Sequence, residues 1–421
     1  MIDLKKVAII GGSFWGNRGA AAMLETTIAK VREINSDAKF TIFTPYPEID
    51  KSLVQDETFT FVDSKPQALI QLNIKVIWIW LLSKTGINLK PSGVLKSILD
   101  AHVLLDIGGI TFADGRLIFL PYNILTILPA LLFKIPVVKL SQAAGSFKNP
   151  IIRFFAKYFL PKCDFIFARG EKTLAFLQEL GLSEKKVALA MDATFVFQED
   201  FCLTNENNYS VHQIYDDILS KKSQGIPVIG ISPSILVMGK MSSKTVDYIH
   251  SLIEMIRKTS FQQDVHFVVF PNASREKSKK KRNNDILAIE EMQNRAKLEL
   301  PLSIYNKITW MTFDVDTKGI NEIVSILDLL ITSRFHAMVF GLRLAIPTIV
   351  IGWSHKYHEV MKFFGLEDFV FDYKDPNRSF DELILEVIKN NETFHSQIMQ
   401  QLPKASDLSQ KQFDYLKRFL D

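Results

Sequence analysis

Cysteine is almost absent: Cys163 and Cys202 are the only two in 421 residues, and their spacing matches no ligand pattern. A disulfide framework and a zinc site are therefore not expected, and a reducing compartment fits best. An excess of charge of one sign is missing too, since 50 basic residues nearly balance 46 acidic ones for a net charge of +4. A dedicated nucleic-acid binder would carry a stronger basic bias. The amino terminus, Met1 to Lys6, leads directly into the apolar Val7–Ile10 without the apolar core and small-residue cleavage site of an export signal. A cytoplasmic location is expected. Long hydrophobic runs are scarce. Leu117–Phe133 is nearly free of charge but short for a membrane span, and it contains Pro121, Asn123 and Pro129. We expect a buried or surface-docking helix there. Trp78 and Trp80 mark a second apolar run, Val76–Leu82. Any part of these two runs left exposed would give peripheral contact with the inner face of a membrane, although most of both is expected in the core.

What is present is a folded globular composition, with 47% hydrophobic and 23% charged residues. The length implies two domains of about 150–200 residues each. The first half alternates strand and helix patterns: strands at Val7–Ile10, Phe40–Phe43, Thr58–Val62, Ala101–Ile107, Val137–Ser141, Phe165–Ala168 and Val187–Ala190 are predicted, with helices between them. The pattern fails between Gln198 and Gly225. It resumes with strands at Val228–Ser232, His266–Pro271, Ile326–Thr332 and Ala345–Gly352. The expected architecture is α/β, two Rossmann-like domains facing each other across a cleft, with C-terminal helices packing back across them. The predicted divisions are 1–200, a linker at 201–226, a second domain at 227–378 and a helical segment at 379–421. The basic run Lys277–Arg282 reads as a solvated loop or a contact to phosphate-rich surfaces.

In an open parallel sheet, ligands bind beyond the carboxyl ends of the strands, where the next helix begins. The most informative such corner is Thr332-Ser333-Arg334-Phe335-His336. A helix N-terminus there favours anions, the Arg334 fork suits carboxylate or phosphate, and a histidine such as His336 can move protons near neutral pH. Other corners carry Gly16-Asn17-Arg18 in a glycine-rich first loop, Gly108-Gly109 with Thr111 and Asp114, Gln142, Arg169, Ser232, Asn272, and Lys356. Each has a bland alternative. The first loop lacks the dinucleotide spacing and is open to a purely structural reading. Asp114 either assists a hydroxyl or caps a helix. Arg169 either binds an anion or pairs with Glu171 or Asp192. His355 and His358 carry no specific signal. No metal-ligand cluster is visible.

Taken together and in order, these corners resemble the polysaccharide pyruvyl transferase family. The resemblance rests on Gly16-Asn-Arg-Gly-Ala20, Asp106-Ile-Gly-Gly-Ile-Thr-Phe-Ala-Asp114, Ser141-Gln142…Gly145 and Ala168-Arg-Gly-Glu171…Leu177…Gly181. It continues through Met191-Asp-Ala193, Ser333-Arg-Phe-His-Ala337…Gly341…Pro347 and Lys356. The departures are Gly170 where the family has an acidic residue and Met191 where it has proline. The resemblance implies a GT-B-like fold and transfer of pyruvate from phosphoenolpyruvate, the co-substrate, to a glycan or lipid-linked sugar, with no other cofactor. It implies that Arg334, Arg169, Lys356 and Ser333 hold the donor, that His336 moves the proton and that Asp114 activates the acceptor hydroxyl. Gly16, Asn17, Arg18, Gly108, Gly109, Thr111, Gln142, Ser232 and Asn272 would line the cleft. A nucleotide-sugar glycosyltransferase of the same architecture is the alternative, and a non-catalytic binding protein on a decayed enzyme fold is a third reading.

Overall fold

Near-continuous apolar runs, rather than alternating ones, mark strands buried on both faces. In the computed structural model those of the first half become β1 (Lys6–Ile10), β2 (Lys39–Thr44), β3 (Phe59–Asp63), β4 (Val103–Asp106), β5 (Ile110–Ala113), β6 (Val137–Gly145), β7 (Phe165–Arg169) and β8 (Val187–Ala190). All pair in parallel, in the order β3-β2-β1-β4-β6-β7-β8, with β5 beside β6. The strand order reverses between β1 and β4, where Ile10 lies opposite Asp106. The second half gives β9 (Val228–Ser232), β10 (His266–Val269), β11 (Ile308–Trp310), β12 (Leu329–Thr332), β13 (Thr348–Ile351) and β14 (Val370–Phe371). Their order is β11-β10-β9-β12-β13-β14, again all parallel, and the reversal lies between β9 and β12, with Ser232 opposite Thr332. The structure describes residues 4–87, 89, 91–198, 201, 203–204, 209–241, 247–275, 283–352, 355–371 and 380–421. The basic run at 277–282 lies outside them.

Two compact units result. One comprises Met1–Trp15, Ala20–Leu203 and Ala405–Asp421; the other comprises Gly16–Gly19 and Thr204–Lys404. The stretch expected as a linker with a short helix, 201–226, carries the 15-residue helix Tyr209–Ser223, whose Val211 and Ile218 are buried. The segment expected as 379–421 divides at Lys404, inside the long helix Asn391–Asp414. In the first unit, alternate residues of β1 feed opposite cores: Ala8 and Ile10 join Leu104, Val137 and Ile166, whereas Val7 and Ile9 join Leu105, Leu140 and, from the carboxyl-terminal segment, Phe413, Leu416 and Leu420.

The expected helix over Leu117–Phe133 is not one element. It breaks into a 3-10 turn at Leu117–Phe119 and two short helices, Leu120–Leu125 and Leu128–Leu132. The cause is in the sequence: Pro121 and Pro129 each sit in the first turn of a helix, the place where a missing N–H costs nothing. The Trp78 and Trp80 run is part of a 19-residue helix, Pro66–Lys84.

Candidate functional site

In the second unit the residues singled out from sequence converge on the switch crevice between β9 and β12. The β12 backbone ends in Thr332, whose hydroxyl donates to Ser232 O at 3.1 Å, and Ser333 N donates to the same carbonyl at 3.2 Å. Arg334 is the N-cap of the helix Phe335–Arg343, with no side-chain cap of its own, and its amide donates to Thr332 Oγ1 at 3.0 Å. Its guanidinium forms an ion pair with Asp285, which is fully buried. Asp285 also accepts from the amides of Ile235 at 3.0 Å and Ala273 at 2.9 Å. Burial pushes the Asp285 carboxyl up, and Arg334 with the two amides pulls it back. Part of the anion expected at this helix mouth is thus supplied by the protein, because a carboxylate without water needs a counter-charge. Arg334 is not used up: its Nε is buried and has no hydrogen-bond partner among the described residues, and the same holds for Ser232 Oγ and Asn272 Oδ1. Buried polar atoms are nearly always paired in folded proteins, so these three, all from carboxyl ends of neighbouring strands, make this the candidate ligand site.

Ser333 is held from both ends. Its hydroxyl lies 2.8 Å from the Tyr248 hydroxyl, and its carbonyl accepts from the Tyr357 hydroxyl at 3.1 Å. Burial pushes the Tyr248 phenol up, so it stays a neutral hydrogen-bonding group. Ser333, expected to touch the donor, therefore has its hydroxyl spent on fixing the loop. Lys356 places its Nζ 4.9 Å from the Phe335 ring centroid and 5.1 Å from that of Tyr357, so the cation rests on aromatic faces one residue before His336.

The segment Gly16–Gly19 belongs to this unit although it follows β1 in sequence. Asn17 bridges to Ala273, Arg18 N donates to Asn272 O at 3.2 Å, and Ser274 N donates to Gly16 O at 2.8 Å. The Arg18 side chain is buried and forms an ion pair with Asp314. Gly19 explains the need for glycine here: a Cβ would lie 2.1 Å from the His336 ring. The imidazole is packed closely against the backbone at Gly19.

The remaining candidates lie in the first unit. Gly108 N donates to Asp106 Oδ1 at 3.0 Å, Thr111 Oγ1 to Gln142 Oε1 at 2.6 Å, and Gln142 Nε2 to Asp106 O at 3.0 Å. Arg169 donates to Asp192 at 2.8 Å and to Gly109 O at 2.8 Å, and Asp192 is completely buried. Of its two readings, the geometry gives Arg169 the pairing with Asp192, again because a buried carboxylate demands it. Asp114 accepts from Ser146 Oγ at 2.9 Å and from the amides of Lys148 at 2.8 Å and Asn149 at 3.2 Å. Burial raises its carboxyl, but these three donors outweigh it and hold it below the ordinary value. A carboxylate so satisfied is a poor base and a good brace for the turn after β6.

Sequence reasoning missed Lys139, Asp285, Tyr248 and Asp314. Lys139 is buried within β6, paired with Asp106 and 3.3 Å from Gln142 Oε1. Its signal was visible, a single charge inside Val-Val-Lys-Leu-Ser. Asp285 and Asp314 left none, since each reaches its arginine across a long loop of chain.

Two parallel sheets, each with a single reversal of order, make this a GT-B-like protein. The architecture is similar to that of the Staphylococcus aureus protein MnaA solved with UDP, at a TM-score of 0.62 and 11% identity over 99% of this chain and 97% of the other. It is also similar to UDP-GlcNAc 2-epimerase from Neisseria meningitidis bound to UDP-GlcNAc, at 0.58 and 13% over 98% and 100%. Within that class, the family model for polysaccharide pyruvyl transferase matches residues 17–355, and the chain belongs to that family. It is 20% identical to the amylovoran biosynthesis protein AmsJ of Erwinia amylovora over 387 residues, 87% of this chain and 88% of the relative.

Proposed function

We propose that this transferase moves pyruvate from phosphoenolpyruvate to a sugar of a cell-surface polysaccharide or its lipid-linked precursor, forming a cyclic ketal. The observation that carries the reading is Arg334 at the mouth of the helix Phe335–Arg343, with a buried donor still unpaired and His336 two residues on. Carboxylate or phosphate of the donor would take that N–H, with the helix N-terminus and Lys356 adding positive potential. His336 delivers a proton to the enol methylene, which makes the adjacent carbon electrophilic. A sugar hydroxyl adds there and loses its proton. A second hydroxyl of the same sugar then displaces phosphate and closes the ring. Asn272 Oδ1, an acceptor without a partner among the described residues, suits a sugar hydroxyl. An acceptor carried on lipid would be met at the inner face of the membrane.

A nucleotide-sugar glycosyltransferase is the second reading, favoured by the fold shared with proteins solved with UDP and UDP-GlcNAc. Thermal protection separates the two. Phosphoenolpyruvate should raise the melting temperature alone and release inorganic phosphate once a suitable glycan is added. Protection and consumption confined to a UDP-sugar would assign the crevice to the diphosphate instead.

A further inference from the structure

The first unit carries an apolar face that its own core does not use. The helix Pro66–Lys84 turns Leu69, Asn73 and Val76 inward and leaves Ile70, Ile74, Ile77, Trp78 and Leu81 exposed, Ile74 at 63% and Trp78 at 62%. Those positions fall on one side of a 3.6-residue helix. The helix Pro150–Phe159 repeats the arrangement: Ile152, Ala156 and Phe159 are buried, while Ile151, Phe154 and Tyr158 face out. Ile118, 86% exposed, projects from the 3-10 turn at Leu117–Phe119. These pieces share neighbours. Pro66–Lys84 packs on Leu120–Leu125, which packs on β5 and the 3-10 turn, and β5 packs on Pro150–Phe159.

The charge carried by the segments that build this face has one sign. No Asp or Glu occurs between Asp63 and Asp100, nor between Asp114 and Asp164, so every charge in both stretches is Lys or Arg. Arg153 and Lys157 are exposed beside Phe154 and Tyr158. Lys84 lies 5.5 Å from the Trp80 ring centroid and Lys162 3.3 Å from that of Tyr158, each amine sitting over an aromatic body. Apolar and aromatic side chains interspersed with cations match the boundary between acyl chains and anionic headgroups. A second copy of the chain would oppose like charges across such a face. No helix among the described residues is long and apolar enough to cross a membrane.

We infer that this face docks on the surface of an anionic lipid bilayer, lying in the headgroup layer without crossing it. The inference goes beyond the proposed reaction and does not depend on which donor the enzyme uses. The full chain should sediment with vesicles of phosphatidylcholine and phosphatidylglycerol, much less with phosphatidylcholine alone, and less at high salt. The pair Ile74→Ser and Trp78→Ser should weaken binding at least roughly tenfold. The pair Arg153→Gln and Lys157→Gln should weaken it by about fivefold for each charge removed. Unchanged circular dichroism and melting would show both variants folded. No sedimentation of the wild type with anionic vesicles, or wild-type binding by both variants, overturns the proposal. So does a dimer in sedimentation velocity that the Ile74 and Trp78 variant dissociates, which would give the face to a second copy. Vesicle binding needs neither phosphoenolpyruvate nor a glycan, so it succeeds or fails apart from the proposed reaction.

Discussion

Arg334 has two obligations that a lysine cannot meet together. It neutralises the buried Asp285, and it keeps a buried Nε–H, without a partner among the described residues, for the proposed donor. In Arg334→Lys the ammonium can still serve Asp285 as a point charge, so the fold should survive, but the planar fork is lost. Donor affinity in titration calorimetry should fall at least about tenfold, equivalent to about 1.4 kcal/mol; unchanged affinity would move the anion site elsewhere. His336→Ala should abolish turnover and leave donor binding nearly intact, with turnover and its ratio to the Michaelis constant falling together. His336→Asn keeps a polar side chain in the first turn of the helix but cannot shuttle protons, so an active Asn variant would make His336 structural. Gly19→Ala offers an independent check, because its Cβ would strike the imidazole without touching any titratable group. It should mimic the kinetic loss of His336→Ala while donor binding persists. Asp114 has a folded value below its ordinary 3.8, so the stability it contributes is full above that pH and is lost as pH falls through the lowered value. The gap in melting temperature between wild type and Asp114→Asn should accordingly be open at neutral pH and close on acidification below 3.8.

Among the elements, legibility followed burial. Strands covered on both faces, such as β4, β6 and β12, were readable as apolar runs. The short β5, β11 and two-residue β14 were not, because none of them lies in a comparable apolar run. The helix Pro66–Lys84 was obscured for the opposite reason: it is apolar on its exposed side as well, which erases the amphipathic contrast. Site corners were legible because a parallel sheet puts ligands at strand carboxyl ends. Their partners were not, since Asp285 lies 49 residues from Arg334 and nothing local announces the pairing. The same blindness hid the Lys139–Asp106 pair inside β6 and β4. Lys139→Met should leave a buried carboxylate unmatched and cost about 3–5 kcal/mol in chemical denaturation. A loss under 1 kcal/mol would mean that Asp106 simply takes up a proton.

Taken whole, the chain shares its architecture with proteins solved with UDP or a UDP-sugar at 11–13% identity, while its family is defined by a match over residues 17–355. One scaffold therefore serves different chemistries, and the residues at the strand ends, not the fold, must decide between them. The chain also passes from one unit to the other four times, at Trp15–Gly16, Gly19–Ala20, Leu203–Thr204 and Lys404–Ala405. Two crossings bracket only Gly16–Gly19, yet those four residues supply the guanidinium that Asp314 needs and the surface on which His336 rests. A gene fragment encoding 204–404 would thus inherit the second sheet without the piece that completes its crevice. Exchange of one half between relatives by a single recombination event is handicapped for the same reason, so the two units are expected to be inherited together rather than shuffled as modules.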